Sequence, residues 1–557
     1  MLLALALTSS LGAALLWLTT RQNLKAFAPP QDPPFAPADA PLVSVCIPAR
    51  DEADNLRPCV EAILANDYPN LEILIYDDQS SDGTREIAAQ LAADDPRVKL
   101  LPTFPMPTGW SGKNHACAQL GLTAAGRWLL FTDADVRFGP RVIASAVAFA
   151  EPRDLALAST FPRQITGSLG ERLVIPMIFF ILLAYLPFGR MRSTTSPPMS
   201  AGCGQFLLVR RDAYRQAGGH TAFPQAIHDG IELARLMRRR GHKTDLFDGT
   251  DLLSVRMYTG LAETWRGFAK NAYAGVGSLG LLIFFTLLHA AVYLLPWILL
   301  PLALIGAHWI AAALAAAAIV IAIHHRAMLG RRFGQPLGVA LLHPLAIAML
   351  TAVQWYSLWL TVTGRREWRG RVQTEAPIEE RLILVDQDDQ PVGETTKQRA
   401  HEQGGQRHRA FSVLLFDDDG RTLLQRRAPV KYHFAGRWAN ACCGHPRPGE
   451  TTVDAAQRRL LEELGVHADL REIARFNYRA SDPDTGLIED EIDHVLVGRA
   501  AAPISPNPLE ADQLRWVTPD DLADQLTHDP ASFAPWFPLV WQQWLAAEAS
   551  APAPTPA

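Results

Sequence analysis

Three long runs of this 557-residue chain contain no charged side chain. Residues 1–20, 271–325 and 333–364 lack Lys, Arg, Asp and Glu. An apolar helix of about 20 residues crosses the hydrocarbon layer of a bilayer, so each run is long enough to span it and residues 271–325 are long enough to span it twice. We therefore expect a membrane-bound chain with two soluble regions of ordinary composition, at roughly 40–270 and 377–546.

The flanking charges predict how the chain crosses the membrane. Residues 1–20 are followed, not preceded, by basic residues (Arg21 and Lys25), which favours an uncleaved anchor with a cytoplasmic C-terminal flank. Residues 277–323 are predicted to cross twice, with a break near Pro296 to Pro301. The apolar stretch Leu173 to Phe188 is too short to span and is expected at the membrane surface or inside the soluble domain.

Residues 337–362 present a problem of topology, because a third crossing after residue 277 would separate the two soluble regions. Both flanking loops, 326–332 and 365–371, are basic, which indicates that both are cytoplasmic. We therefore interpret 337–362, interrupted by His343-Pro344 and Gln354, as re-entrant or interfacial. The chain is then a multi-pass protein of the cell (inner) membrane with both soluble regions in the cytoplasm.

Composition excludes little but is informative about partners and redox state. The net charge of −5 argues against a nucleic-acid partner. The six cysteines form no CxxC pair, and Cys442 and Cys443 are adjacent, so we expect reduced thiols rather than disulfides.

The first soluble region alternates between strands and helices. LVSVCIP, LEILIYD and RWLLFTD are apolar strands that end in Pro or Asp, and helical segments run to Asn66 and from Thr84. This order predicts a parallel α/β sheet, in which ligands bind at the carboxyl ends of the strands. The acidic residues of this region lie at those ends.

The second soluble region is strand-rich and of the α+β class. RLILVDQ, AFSVLLF and RTLLQRR are predicted strands, a helix is predicted from about Thr452 to Leu464, and further strands lie around 476–480 and 491–499. The tail APAPTPA is expected to be disordered.

Residues 444–466 carry a spaced acidic motif. The stretch GHPRPGETTVDAAQRRLLEELGV fits the Nudix template, in which Gly, five residues, Glu and seven residues precede Arg-Glu-U-x-Glu-Glu-x-Gly-U and U is a bulky aliphatic. Position 459 is Arg where hydrolases of this fold have Glu. Residues 459, 462 and 463 share one helix face, which binds Mg²⁺ through carboxylates in a hydrolase. Arg459 replaces one carboxylate by a phosphate-binding cation, which predicts diphosphate recognition and disfavours hydrolysis.

The flanking segments resemble the type I isopentenyl-diphosphate isomerases, over about 377–546. The matching stretches are KQRAHEQGGQRHRAFS, LLQRRAPVKYHFAGRWANACCGHP, FNYRASDP and LIEDEIDHV. The resemblance implies a metal site made by His401, His408, His445, Glu489 and Glu491. It implies catalysis by Cys443 and Glu491 assisted by Tyr478, with Glu463 helping to hold Mg²⁺ on the diphosphate. It implies diphosphate contacts from Lys397, Arg427, Lys431 and Arg459, with Trp536 covering the pocket.

The chemistry explains these residue types. Isomerisation protonates a terminal alkene and removes an allylic proton, so one acid–base group must stand on each side of a flat substrate. Three imidazoles and two carboxylates suit Mn²⁺ or Zn²⁺ better than Mg²⁺ alone, so two divalent ions are expected. Cys442 is expected in the core, His433, His467 and His494 at the surface or in the core, and Arg426 in a structural role.

The N-terminal motifs resemble the family-2 glycosyltransferases with a GT-A fold, over roughly 42–275. VSVCIPARDEADNL, LEILIYDDQSSDGT, GWSGKNHA and LLFTDADV occur in the family's order. The resemblance implies a nucleotide-sugar pocket lined by Pro48, Ala49, Arg50 and Glu52, with Asp78 and Asp82 nearby, Lys113 in the donor-binding stretch, and Asp133 and Asp135 holding Mg²⁺ or Mn²⁺. Asp51 stands where the family often has Asn.

Asp229 lies where this family has its general base, at the start of HDGIELARLMRRRG. Acting as base, it would give inversion at the anomeric carbon; a helix N-cap is the structural alternative. The Q-x-x-R-W motif of processive synthases is absent from the sequence, which favours transfer of one sugar to a lipid. The region looks like the branch that holds carotenoid-acid, hopanoid and ceramide glycosyltransferases.

Together these observations predict seven segments: anchor 1–20, Pro-rich linker 21–41, GT-A domain 42–275, transmembrane region 276–363, linker 364–376, Nudix-type isomerase domain 377–546 and tail 547–557. The predicted function is bifunctional. One domain interconverts isopentenyl and dimethylallyl diphosphate, and the other moves a sugar, with UDP-hexose the expected donor, to a carotenoid or other isoprenoid lipid. The alternatives are a catalytically inactive, regulatory domain, a true Nudix hydrolase, or a transferase acting on ceramide or diacylglycerol.

Overall fold

The computed structural model describes residues 1–30, 40–365, 367–368, 371–372, 380–402, 404–431, 433–483, 485–500 and 503–550. The chain divides into two compact units, Met1–Leu101 with Ser111–Glu375, and Pro102–Trp110 with Ala376–Ala557. Residues 31–39 of the Pro-rich linker, most of the linker at 364–376 and the end of the tail lie outside the described residues.

The first unit is built on a seven-stranded sheet that is mixed, not parallel throughout. Its strands, in spatial order, are Val98–Leu100, Leu71–Asp77, Val43–Ala49, Trp128–Phe131, Leu207–Arg210, Leu157–Ser159 and Thr244–Leu246. The first four are parallel, as the βα alternation predicts, and Leu207–Arg210 runs antiparallel to both of its neighbours. The three strands identified in the sequence, Val43–Ala49, Leu71–Asp77 and Trp128–Phe131, are parallel as predicted. The antiparallel strand Leu207–Arg210, which was not predicted, makes the complete sheet mixed.

Alternating side chains of the strands form two apolar cores, one on each face of the sheet. Val45 and Ile47 lie in one core, whereas Cys46 and Tyr76 lie in the other. The helices that cover the sheet are Ala53–Leu64, Thr84–Asp94, Gly112–Thr123, Val142–Ala150, Arg211–Ala217 and Asp229–Arg239. A small second sheet contains Val136–Phe138, Leu253–Val255 and Arg163–Gln164. Because the central strands are parallel neighbours, their carboxyl ends lie at the same edge of the seven-stranded sheet.

Four helices of the described chain are long and apolar enough to cross a membrane: Leu2–Ala26, Leu279–Ile305, Trp309–Arg332 and Leu337–Val362. Their contacts are made by small residues such as Ala13, Ala318 and Ala322, which let helices approach closely. A Cβ added at Gly12 would lie only 2.7 Å from the side chain of Val292, so glycine allows the two helical segments to approach closely at this point.

Two expectations about these helices are wrong. Leu279–His289 continues through a π-helical turn, Ala290–Leu294, into Leu295–Ile305, so the break falls at Gly306–His308 instead of Pro296–Pro301. Pro296 lies in the first turn after the π segment, where a missing N–H is tolerated, and Ala307 takes the positive φ of the turn.

Similarly, Gln354 lies inside one continuous helix, His343–Val362, so the expected interruption at Gln354 is wrong. The expected interruption at His343-Pro344 coincides with the start of this helix, after the 3₁₀ segment Leu337–Leu342. The short stretch around Leu173 to Phe188 forms two helices, Leu169–Val174 and Met177–Tyr185, whose Phe179, Phe180 and Leu183 are buried in the unit.

The second unit contains a nine-stranded sheet. Its main path is Pro391–Thr396, Arg381–Val385, His408–Phe416, Thr422–Arg427 and Trp438–Ala439. Cys442–Gly444 and Ile488–Ala500 both pair with His408–Phe416, Ala468–Ser481 pairs with Ile488–Ala500, and Ala511–Val517 pairs with Thr422–Arg427. The helices are Lys397–His401, Thr452–Leu464, Pro519–His528 and Phe537–Ser550.

Helix Thr452–Leu464 has the bounds that its sequence predicts. The Thr451 hydroxyl accepts a hydrogen bond from the amide of Asp454 at the N-terminus, and Gly465 adopts the left-handed conformation after the last turn. Leu460 and Leu464 are buried against the sheet. The opposite side of the helix therefore presents Arg459 and the glutamates of the acidic motif.

Candidate active sites

Five side chains in the second unit form a buried group suited to a metal ion. One ligand atom from each of His401, His408, His445, Glu489 and Glu491 lies within 4.8 Å of all the others. His401 ends the short helix Lys397–His401, and His445 follows Cys442–Gly444. His408 lies beside Glu491 in adjacent parallel strands. The fold thus gathers residues that are up to 90 positions apart in the chain.

The hydrogen bonds of the imidazoles fit a cation. The Nδ1 atoms of His401 and His408 lie 2.6 and 2.7 Å from backbone carbonyl oxygens, so both Nδ1 atoms are donors and a neutral ring leaves Nε2 with a lone pair. These Nε2 atoms face carboxylate oxygens of Glu489 and Glu491 at 2.8 and 3.2 Å. Two lone pairs repel at such distances, and a divalent ion between them would satisfy both. Burial lowers the pKa of His445 well below its usual value, which keeps this imidazole neutral.

His433 belongs to this site, although its sequence context predicted only a surface or core position. Its Nε2 lies 2.8 Å from Oε1 of Glu489, the oxygen that does not face His401. The sequence carried no spacing signal for this contact. The only hint was that His433 lies within the stretch LLQRRAPVKYHFAGRWANACCGHP.

Cys443 and Glu491 lie on strands that flank His408–Phe416 on its two sides, with Cys443 opposite Ser412. Burial raises the pKa of the Cys443 thiol to about 12, although the nearby Arg427 guanidinium lowers it in part. Nη1 of Arg427 lies 3.7 Å from Sγ. The thiol is therefore protonated at neutral pH. All six cysteines are free, and Cys442 is fully buried in the core, as expected.

Tyr478 donates a hydrogen bond to Oε2 of Glu491, and the two residues are paired across neighbouring strands. Burial alone would raise the pKa of Glu491, but its contact with His408 and the hydrogen bond that it accepts from Tyr478 lower that pKa to about 2. An ionised carboxylate and a protonated thiol therefore occur in one site.

The basic residues predicted to bind diphosphate are held by acidic partners. Lys431 and Arg459 both pair with Glu510, the latter at 3.1 Å, and Arg459 also contacts Glu462 at 2.7 Å and Glu463. Nε2 of Gln425 donates to Glu463 at 2.9 Å. Glu510 lies far beyond the acidic motif in the chain and was not predicted from the sequence.

Lys397 and Trp536 lie at other parts of the same site. Lys397 pairs with Glu380 at 3.0 Å, and the charges of Lys397 and Arg459 lower the pKa of Glu380 strongly. Trp536 is buried, its ring lies 5.3 Å from the Arg427 guanidinium, and its Nε1 donates to Asn440. Trp536 therefore packs beside the cation that contacts Cys443.

The first unit presents a second candidate site at the carboxyl ends of its strands. Pro48, Arg50, Glu52, Asp78, Asp133 and Asp135 all line one cavity there. Nη1 of Arg50 donates to the carbonyl of Asp78 at 2.6 Å. Asp82 does not line this cavity: its carboxylate accepts hydrogen bonds from the amide of Ala53 and from Thr84. Asp82 thus supports the loop beside the cavity.

Lys113 joins the D-x-D motif to Asp229. Its Nζ lies 2.6 Å from Asp133 and 3.0 Å from Asp229. Burial alone would raise the pKa of Asp229, but Lys113 lowers it, so this carboxylate is ionised. His228, not Asp229, occupies the N-cap position and Asp229 is the first helical residue. The N-cap alternative for Asp229 is therefore wrong.

Burial and the neighbouring charge of Asp133 raise the pKa of Asp135 to about 7. Two carboxylates in one buried place repel each other, and a bound cation relieves that repulsion. The D-x-D pair thus fits a divalent ion.

The cavity, with a volume of about 960 Å³, extends from these carboxylates into the apolar helices. Its apolar lining includes Phe161, Ile178, Ile181, Leu182, Phe285 and Leu350. The last two residues belong to helices long enough to span a membrane. One continuous space therefore has a polar end and an apolar end.

Comparison with known proteins agrees with this division. Residues 406–537 match the family described as NUDIX domain, and residues 44–218 match Glycosyl transferase family 2. An "Isopentenyl-diphosphate Delta-isomerase" of Nocardia farcinica is 51% identical over 153 residues, which cover 28% of this chain and 87% of that protein. The protein of that name from Serratia proteamaculans is 49% identical over 160 residues, 29% of this chain and 88% of its own length. Among solved structures, a mannosyltransferase of Pyrobaculum calidifontis in complex with GDP-Man and Mn²⁺ is 20% identical, with a TM-score of 0.41, and covers 64% of this chain and 99% of that one.

Proposed function

The C-terminal part of this chain belongs to the isopentenyl-diphosphate Delta-isomerases and its N-terminal part to the family-2 glycosyltransferases, and from this we propose a bifunctional membrane enzyme of isoprenoid metabolism. The C-terminal site interconverts isopentenyl and dimethylallyl diphosphate. The observation that carries this proposal is the buried group of three imidazoles and two carboxylates beside Cys443 and Tyr478.

In this proposal Cys443 and Glu491 act on opposite sides of the substrate. One group adds a proton at the end of the alkene while the other removes a proton from the allylic carbon, and the two roles exchange in the reverse reaction. The thiol begins protonated and the carboxylate ionised. Tyr478 holds Glu491 in place through its hydrogen bond. The aromatic face of Trp536 stabilises positive charge on the intermediate and excludes water.

A divalent ion, Mn²⁺ or Zn²⁺, would be held by His401, His408, His445, Glu489 and Glu491, and it would supply positive charge that fixes the carboxylates. Lys397, Arg427, Lys431 and Arg459 would bind the diphosphate, and Glu463 would take part in holding its Mg²⁺. The ion pairs of Lys431 and Arg459 with Glu510 support this role, because they hold the two cations together.

The isomerase function is tested with the purified full chain. Wild-type protein should convert isopentenyl diphosphate to dimethylallyl diphosphate in the presence of Mg²⁺ and Mn²⁺. Cys443→Ala should reduce the rate by a factor of about a thousand or more. The adjacent Cys442→Ala is the matched control and should keep most of the activity, since Cys442 is a core residue. Equal loss in both variants, or activity in Cys443→Ala, would contradict the proposal.

The N-terminal site is proposed to transfer a hexose from a nucleotide-sugar, with UDP-hexose the favoured donor. Pro48, Arg50, Glu52 and Asp78 would line the nucleotide pocket, with Asp82 supporting its loop. Asp133 and Asp135 would hold Mg²⁺ or Mn²⁺ on the diphosphate, which neutralises charge on the leaving group. Asp229 would deprotonate the acceptor, giving inversion.

The acceptor is proposed to be a carotenoid or another isoprenoid lipid. The support is the apolar end of the cavity, which Phe285 and Leu350 line from span-length helices. A lipid lying among these helices could place its head group near Asp229 without leaving the membrane. Fusion with an isomerase that supplies isoprenoid precursors favours an isoprenoid over ceramide or diacylglycerol.

Lipid mass spectrometry tests this second activity. The full chain would be expressed in hosts that make carotenoids or hopanoids, beside Asp229→Ala. A hexosylated isoprenoid that is absent with Asp229→Ala supports the proposal. A hexosylated ceramide or diacylglycerol would overturn the isoprenoid acceptor, and the lack of any new glycolipid would overturn the transferase function.

We also propose that both catalytic regions face the cytoplasm of the inner membrane, where their charged substrates are made. This requires an even number of crossings after residue 278, so Leu337–Val362 would be interfacial or re-entrant despite its length. Cysteine labelling at Arg371 from the outside would contradict this topology.

A further inference from the structure

The apolar end of the transferase cavity contains polar side chains that sugar transfer itself does not need. Tyr185, His289 and Gln354 line it from three different helices. His289 and Gln354 are 1% and 5% exposed. A polar group in apolar surroundings destabilises the protein unless it has a hydrogen-bond partner. The hydrogen-bond partners of these three side chains therefore indicate which chemical group of a ligand the cavity can bind.

The direction of each hydrogen bond follows from Thr351. Its hydroxyl donates to the carbonyl of Ile347 at 3.0 Å, so it can only accept from Nδ1 of His289, 3.1 Å away. The neutral imidazole then has a lone pair on Nε2, and this nitrogen accepts from the hydroxyl of Tyr185 at 3.0 Å. The hydroxyl proton of Tyr185 is therefore engaged with His289, and the hydroxyl oxygen can still accept a hydrogen bond from a ligand.

Gln354 offers a second acceptor beside the first. Its amide oxygen is buried and has no hydrogen-bond partner among the described residues. Gln354 follows Thr351 by three positions on one helix, so the two side chains share a face. Tyr185 and Gln354 thus place acceptor atoms in the wall of the same end of the cavity.

We propose that this end of the cavity binds a hydroxyl group on the hydrocarbon part of the lipid acceptor, distinct from the group that receives the sugar. The inference rests on the proposed transferase function and narrows its substrate class. A hydroxyl donates to Tyr185 or to the Gln354 oxygen, and it can also accept from the amide nitrogen. The preferred acceptor is therefore a long-chain lipid with a second, uncharged hydroxyl along its apolar part.

Synthetic acceptors test the proposal with the full chain in vesicles or micelles. One acceptor is a plain long-chain primary alcohol, and the others are diols of the same length whose second hydroxyl is moved stepwise along the chain. The donors are radiolabelled UDP-glucose and GDP-mannose, tried separately. Wild-type enzyme should prefer one position of the second hydroxyl over the plain alcohol by about tenfold or more in kcat/KM, because unmet buried acceptors disfavour the plain chain.

Two variants connect the preference to the residues. Gln354→Leu should abolish the preference through a higher KM for the favoured diol, and continued sugar transfer to the plain alcohol shows that the variant is folded. Tyr185→Phe should weaken the preference independently. Tyr356→Phe, an exposed position on the same helix and outside the cavity lining, is the matched control.

The outcomes separate this inference from the transferase function on which it rests. Sugar transfer to all diols and to the plain alcohol at equal rates would overturn the inference alone. A diol preference that survives in both Gln354→Leu and Tyr185→Phe would also overturn it. Failure to glycosylate every alcohol with either donor would overturn the transferase function and this inference with it.

Discussion

The two candidate sites both gather carboxylates, but the partners of these carboxylates differ. Glu489 and Glu491 face imidazole nitrogens, whereas Asp133 and Asp229 share the ammonium group of Lys113. In the proposed isomerase site a divalent ion would supply the neutralising charge, whereas Lys113 itself supplies positive charge in the N-terminal site. The difference favours a permanently bound metal in the C-terminal site and a metal that would enter with the nucleotide in the N-terminal site.

Removing the proposed metal of the C-terminal site tests this difference between the two sites most strongly. His445→Ala should eliminate bound divalent metal from the purified full chain and lower isomerase activity by about a thousandfold or more, since it opens the ligand group. Metal analysis by mass spectrometry measures the first effect and a coupled assay the second. The exposed His467→Ala is the control. Retention of metal by His445→Ala would contradict the assigned ligand set.

A large effect is also expected at the lysine of the other site. Lys113→Met should reduce sugar transfer by about a hundredfold at neutral pH. Lys113 lowers the pKa of Asp229, so its removal raises that pKa, and the loss of activity on acidification should begin at a higher pH than in wild-type enzyme. The measurement is the pH dependence of kcat/KM. Lys99→Met, whose lysine pairs with Glu72 at the surface, serves as control. An unshifted acid limb would show that Lys113 does not act through Asp229.

A moderate effect on substrate binding is predicted for the residue that departs from the hydrolase motif. Arg459→Gln should raise the KM for isopentenyl diphosphate by about ten- to hundredfold, because one charge-assisted contact to phosphate is lost. Arg426→Gln, which breaks an exposed ion pair with Asp512, should change KM by less than about threefold. A large change in kcat alone would contradict a binding role for Arg459.

The smallest effect is expected at His433. His433→Ala should weaken metal binding by about tenfold, because Glu489 loses the partner that orients it. Competition with a chelator of known affinity measures this change, and the exposed His528→Ala is the control. Unchanged affinity would mean that His433 only fills space.

The sequence predicted those elements whose defining residues are close together in the chain. The helix Thr452–Leu464 was predicted because its cap, apolar spacing and terminal glycine are all adjacent in the chain. Val43–Ala49, Leu71–Asp77 and Trp128–Phe131 were predicted to be parallel because helices separate these strands in the sequence. Leu207–Arg210 was not predicted, and its direction follows from its pairing with Trp128–Phe131 and Leu157–Ser159.

The same limit applies to the sites. Motifs located the five proposed metal ligands, but they could not reveal His433 or Glu510, whose contacts depend on how distant segments meet. Proline positions suggested helix breaks at Pro296–Pro301 and at His343-Pro344. A helix does begin at His343, whereas Leu295–Ile305 contains both Pro296 and Pro301 without a break, and a sequence does not state where a proline falls within a helix.

The cavity that joins Asp229 to the span-length helices has a consequence for enzyme kinetics. An acceptor that arrives through its apolar end is never dissolved in water, so its effective concentration is its mole fraction in the surrounding lipid. Dilution with inert carrier lipid should slow the reaction, whereas a larger buffer volume should not. The alkyl tail of a detergent suits the same apolar lining, so we expect detergents to inhibit sugar transfer competitively, with a strength that depends on tail length.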